Sequence, residues 1–188
     1  MNVFLSPELG HIALIIGSCL AVVQAILPFA GSYTGTFKWM QMGRSLAFGN
    51  LFFIFFAFLC LSNAFLSDDF TVRYVAQNSN TLLPTYFKFS AVWSAHEGSL
   101  LLWVLILSMW TAAVALLCSE LPLQFLSRTL AILGLISIGF CFFLLFTSNP
   151  FERTLPLPPV DGQDLNPLLQ DIALILHPPL LYFGYVGL

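Results

Sequence analysis

The chain has 188 residues, 59 % of them hydrophobic and only 8 % charged, with a net charge of −3 and a mean hydropathy of +0.90. A water-soluble domain needs about a quarter of its residues charged to cover its surface, so a soluble enzyme is excluded and lipid must do the covering. Six Lys and Arg with no basic cluster exclude nucleic acid, because nothing is present to neutralise a run of phosphates.

Charged residues punctuate the chain at membrane intervals. Residues 9–30, 45–67, 98–119 and 129–151 carry no Asp, Glu, Lys or Arg, and each can cross a bilayer core at about 1.5 Å per residue. They predict an all-α, polytopic transmembrane helix bundle with four full spans. The first is longer than a signal-peptide core and has no Lys or Arg before it, so it is expected to stay in the mature chain. The third is opened by Ser94-Ala95-His96-Glu97, which reads as a capping box. A fifth apolar segment, residues 172–188, contains His177-Pro178-Pro179 and is read as the start of a fifth span. With Pro178 as its first helical residue it has eleven residues and rises about 16 Å, half a hydrocarbon core. The residues are therefore expected to be the N-terminal transmembrane part of a longer protein, or to lean on a second chain.

Two short connectors, residues 31–44 and 120–128, alternate with two longer ones, residues 68–88 and 152–171. The last is rich in Pro and is expected to be an ordered outer loop. Three Lys and Arg lie on each side, but the short connectors hold theirs in fewer residues, which places them in the cytoplasm and the N-terminus and longer loops outside. Cys19, Cys60, Cys118 and Cys141 form no CxxC pair and read as small buried hydrophobes. The cluster Phe52, Phe53, Phe55, Phe56 and Phe58 points all round a helix, toward lipid and neighbouring helices. Asp161, Asp164 and Asp171 lack the spacing of a calcium loop and read as turn formers.

Only three side chains titrate near neutrality and ligate metals readily: His11, His96 and His177. His11 follows Glu8 by three residues, and an interfacial hydrogen bond explains it. His96 shares a heptad-spaced stripe with Trp103 and Trp110; the stripe suits a porphyrin edge, a quinone ring, or plain helix packing with an aromatic belt. Glu97 suits the positive end of a helix dipole. His177 precedes a proline, which pushes it out of the α region, while Pro178 suits a first helical turn. The ring is thus expected at a helix entrance on an extended backbone, where the dipole favours the neutral form a metal needs; amide capping or headgroup contact is the structural alternative. No P-loop, GxGxxG, HExxH or GxSxG pattern occurs.

The runs Tyr74-Val75-Ala76-Gln77-Asn78-Ser79-Asn80, Trp93-Ser94-Ala95-His96-Glu97-Gly98-Ser99 with Leu100-Leu101-Leu102-Trp103, Asp164-Leu165-Asn166-Pro167-Leu168-Leu169-Gln170-Asp171 and His177-Pro178-Pro179-Leu180-Leu181-Tyr182 resemble the cytochrome c maturation protein F family. These proteins are haem lyase subunits of the bacterial inner membrane. A sister branch serves nitrite reductase assembly. The resemblance implies a protein that accepts haem from a periplasmic haem chaperone and works with a thiol-handling partner subunit. It presents haem to the CxxCH motif of apocytochrome c, whose two cysteine sulfurs form thioethers with the vinyl groups. It also implies that His177 is one of two periplasmic histidines that hold haem iron axially, and that His96, Glu97, Trp93 and Trp103 belong to a functional hallmark of unassigned role.

Departures are specific. The family is several times longer; its tryptophan-rich haem-binding segment, its second periplasmic histidine and its transmembrane haem ligands have no counterpart here. Ile172 stands where a proline is expected. The 188 residues alone are expected to have little or no lyase activity. The competing reading is a non-enzymatic membrane scaffold or transporter subunit whose His and Trp stripe is packing or a quinone pocket.

Overall fold

A computed structural model describes residues 6–118, 120–154 and 156–187, so Ser119 and Leu188, the expected ends of two spans, lie outside the described residues. Four helices are long and apolar enough to cross a membrane: α1 (Pro7–Thr34), α2 (Phe37–Leu66), α5 (His96–Leu117) and α6 (Leu123–Phe146). Two short helices, α3 (Arg73–Asn78) and α4 (Thr85–Ala91), lie between α2 and α5, and a shorter apolar helix, α7 (Ile172–Gly187), follows a 3-10 turn at Pro167–Gln170. No strand occurs among the described residues beyond one isolated bridge between Val72 and Arg153. The all-α bundle is the architecture that the uncharged stretches imply.

The helices end where the chain chemistry requires. Ser6 caps α1 by accepting the Leu9 amide on its side chain, and Gly35, in the left-handed region at φ 70°, closes the other end. In lipid no hydrophobic force drives helices together, so packing and interhelical hydrogen bonds must hold them. Asn50 on α2 donates its side-chain amide to the Gly17 carbonyl on α1 at 2.8 Å, and Gln24 on α1 donates to the Leu130 carbonyl on α6, also at 2.8 Å. Both side chains are buried, and bonds of this kind contribute about 1 kcal/mol each. The phenylalanine run divides as its helical spacing requires: Phe58 is buried, and Phe52 and Phe55 face outward. Cys60 and Cys141 are buried, but Cys19 is exposed on α1, contrary to the expectation of uniform burial. Its position on the helix turns it away from α2 and α6.

The two longer connectors fold together into one layer over the end of the bundle that holds the start of α1. Arg153 pairs with Glu8 of α1 and with Asp69. Arg73 pairs with Glu152 at 3.2 Å, and Lys88, nearly buried, pairs with Asp68 at 2.6 Å. Asp161 accepts the amide and hydroxyl of Thr81, and Asp164 accepts the Asn80 amide at 2.9 Å. Asp161 and Asp164 therefore tie the Pro-rich loop to residues 80–81 rather than merely forming turns, and Asp171 caps the helix that follows. His11 also belongs here: its Nε2 lies 3.4 Å from the Asn149 side-chain nitrogen, and its ring stacks on Phe151.

Candidate functional site

The segment before α5 is built around the Tyr74 hydroxyl. It accepts the Ala95 amide at 3.1 Å and lies 3.0 Å from the Val92 carbonyl, to which it donates. The phenol is buried, and burial pushes its pKa well above the ordinary tyrosine range, so it stays a donor. The negative charge of Glu97 works in the same direction, after burial. The capping box does not form. Ser94 donates to the Ala91 carbonyl at 2.8 Å, and α5 begins at His96 with Ala95 as its unassisted cap. The reason is long-range: the Tyr74 hydroxyl takes the Ala95 amide and tightens residues 91–95 into a turn ahead of the helix. Gly98 makes that turn possible, since a methyl there would overlap the Val92 carbonyl oxygen and come within 2.7 Å of the Tyr74 hydroxyl. Tyr74 and Gly98 stand in the sequence runs noted above, but spacing carries no signal of their contact.

His96 projects from the first turn of α5 with its side chain 67 % exposed, its Nδ1 3.5 Å from Glu97 Oε2. That oxygen is buried and accepts no hydrogen bond among the described residues. His96, Leu100 and Trp103 line an open groove of about 530 Å³ with Phe143 of α6 and Tyr182 of α7. Trp103 packs on Phe140, ring centroids 3.9 Å apart. Trp110, the third member of the stripe, leaves the groove: it packs on Phe183 and donates to the Phe183 carbonyl at 3.1 Å. The stripe therefore serves both groove lining and helix packing.

His177 does not sit at a helix entrance. Helix α7 starts five residues earlier, at Ile172, because Asp171 Oδ1 accepts the amides of Ala173 and Leu174 and caps it. Pro178 and Pro179 lie inside the helix, where each removes the amide that a carbonyl four residues back would use. Trp93 supplies the replacement for one of these: its indole Nε1 donates to the Ile175 carbonyl at 3.1 Å. The helical backbone, rather than an extended one, thus carries His177.

Helical spacing then separates the candidate residues. Ile175, Pro178, Pro179, Tyr182 and Val186 are the partly buried positions of α7, and Tyr182 and Val186 pack on the core. His177 is exposed, roughly opposite them around the helix, and makes no side-chain hydrogen bond among the described residues. The structure brings His96, Trp103 and Tyr182 together, uses Trp93 to support α7, and leaves the imidazole of His177 on the far side of that helix. No cluster of three or more metal-ligating side chains occurs among the described residues.

Four long apolar helices capped on one side by an ion-paired loop layer define a multi-pass membrane protein. The profile described as "Cytochrome C assembly protein" matches residues 93–188, and the chain belongs to that family. It is 60 % identical over 181 residues to the "Cytochrome c-type biogenesis protein CcmF" of Pseudomonas aeruginosa and 52 % identical to that of Escherichia coli, with 96 % of the chain aligned in each case. A solved structure of "Cytochrome c Heme Lyase CcmF" superposes with a TM-score of 0.84 at 27 % identity, covering 97 % of the chain. The chain spans 28 % of the length of each of these relatives.

Proposed function

We propose that this chain works in cytochrome c-type biogenesis as part of a haem lyase, and that His177 is its axial ligand for the haem being delivered. The observation that carries the reading is the state of that ring: exposed, without a hydrogen bond among the described residues, and held on a helix that Trp93 supports. A neutral imidazole is the ligand haem iron favours, and a ring not engaged elsewhere gives up no protein contact on binding. His11, tied to Asn149 and stacked on Phe151, does not meet that condition. Thioether formation is chemistry of the haem vinyl groups and the cysteine thiols of apocytochrome c, so positioning is what this chain supplies. A periplasmic haem chaperone and a thiol-handling subunit are its proposed partners.

The placing of Lys and Arg supports an inner-membrane orientation with the loop layer in the periplasm. In that layer Arg73, Lys88 and Arg153 each pair with a carboxylate. On the other side Lys38, Arg44 and Arg128 stand in or beside the two short connectors, and Lys and Arg concentrated in short loops favour the cytoplasm. Identity favours the main branch over the nitrite reductase one. In Haemophilus influenzae the protein CcmF is 50 % identical to this chain and the protein NrfE 43 %, at equal coverage of the chain.

The test uses the full-length protein in its own membrane. His177→Ala is expected to lower holocytochrome c yield at least about tenfold, the effect of losing an interaction of some 1.4 kcal/mol, at unchanged protein level. Wild-type yield from that variant would refute the assignment.

A further inference from the structure

Helices α1 and α6 approach closely at Gly134, where an added methyl would sit 3.1 Å from the Ala25 amide nitrogen, and Gln24 locks them through the Leu130 carbonyl. Beside that contact small side chains leave a furrow. Ala25, Ala30 and Ala131 line it with Ile26, Phe29, Ile132 and Leu135, enclosing about 560 Å³ open to the outside of the bundle. The furrow is apolar throughout and long enough for part of an acyl chain.

Its connector end is not apolar. One turn before Ile132 on α6 stands Arg128, on the same helix face as Ile132 and Leu135. Its Nε donates to Ser32 Oγ at 3.0 Å, and its guanidinium lies 5.1 Å from the centre of the Tyr33 ring, one turn beyond Phe29 on α1. The guanidinium is therefore oriented, yet its two terminal nitrogens have no protein acceptor among the described residues. Arg44 likewise has no hydrogen bond or ion pair there, although its Nε is buried. A fixed arginine fork without a carboxylate, above an apolar furrow, has the charge and shape to hold a phosphodiester whose tail follows the furrow.

We propose that the α1–α6 furrow and Arg128 form a binding site for an anionic phospholipid of the leaflet that the short connectors face. The phosphate sits on the Arg128 guanidinium, Ser32 and Tyr33 keep that guanidinium in place, and one acyl chain fills the furrow. The lipid then bridges the two helices and fastens α1 to α6 at the end opposite the loop layer.

The full-length protein is purified, delipidated and mixed with equal amounts of phosphatidylglycerol and phosphatidylcholine, and bound lipid is counted by native mass spectrometry. Wild type is expected to retain phosphatidylglycerol about tenfold over phosphatidylcholine. Arg128→Gln is expected to bring the ratio near one, Arg128→Lys to leave it in between, and Ala30→Phe, which fills the furrow, to lower retention of both lipids. Excess inorganic phosphate should not displace the lipid. Equal retention of the two lipids by wild type, undiminished binding to Ala30→Phe, or displacement by phosphate alone would each overturn the proposal. The wild-type ratio and the Ala30→Phe result decide the matter even if Arg128→Gln fails to fold.

Discussion

The Trp93 indole bonds the Ile175 carbonyl across 82 residues of sequence, and that carbonyl is the one Pro179 deprives of its helical partner. This contact lets a helix continue through two prolines. Trp93→Phe keeps the ring and removes the donor, and should cost about 1 kcal/mol locally. Amide exchange in α7 is expected to quicken about fivefold while α1, α2 and α6 are unaffected. A uniform change, or none, would show that α7 is held by other means.

The contact between Gly98 and the Val92 carbonyl fixes the turn ahead of α5. Gly98→Ala should lower stability by about 2 kcal/mol or more, since the obstacle is backbone that cannot rotate away. Gly139→Ala is the control. Nothing lies within 4 Å of a methyl at that helical position, so a gain of about 0.5–1 kcal/mol is expected. Thermal unfolding of the two variants in one detergent should show shifts of opposite sign; equal shifts would remove the special role of Gly98.

Asp161 ties the Pro-rich loop to the α3–α4 segment. Its carboxyl is held below the usual aspartate range, first by the Thr81 amide and then by the Gly162 amide and the Thr81 hydroxyl. A depressed folded-state pKa contributes stability above the unfolded value, near 4, which is lost as pH falls through the lower folded one. The Thr81 and Gly162 amides are thus expected to lose exchange protection in acid below about pH 4, and Asp161→Asn to abolish that dependence. Acid-independent protection in wild type would contradict the assignment.

Sequence patterns revealed the spans because lipid imposes a simple rule, the absence of charge over about 20 residues. The loop layer was hidden because its order comes from pairs such as Arg153 with Glu8 and Asn80 with Asp164, far apart in the chain. Ser94 and Glu97 satisfied a local pattern that a distant hydroxyl, on Tyr74, pre-empted. Proline rules are local and put His177 at a helix entrance, whereas the donor that overrides them comes from Trp93, far away in the chain. One local signal did point to the true start of α7: Asp171 immediately before an apolar run is a good cap. That His177 would part from His96 and Trp103 follows only once the start of the helix is known.

Haem iron coordination by His177 is tested most directly by the visible spectrum of the purified full-length protein loaded with haem, compared with His177→Gly before and after adding imidazole. The expected result is a Soret band altered or lost in His177→Gly and restored toward wild type by imidazole, which replaces the missing ligand. An unchanged spectrum in His177→Gly would contradict axial ligation by this residue.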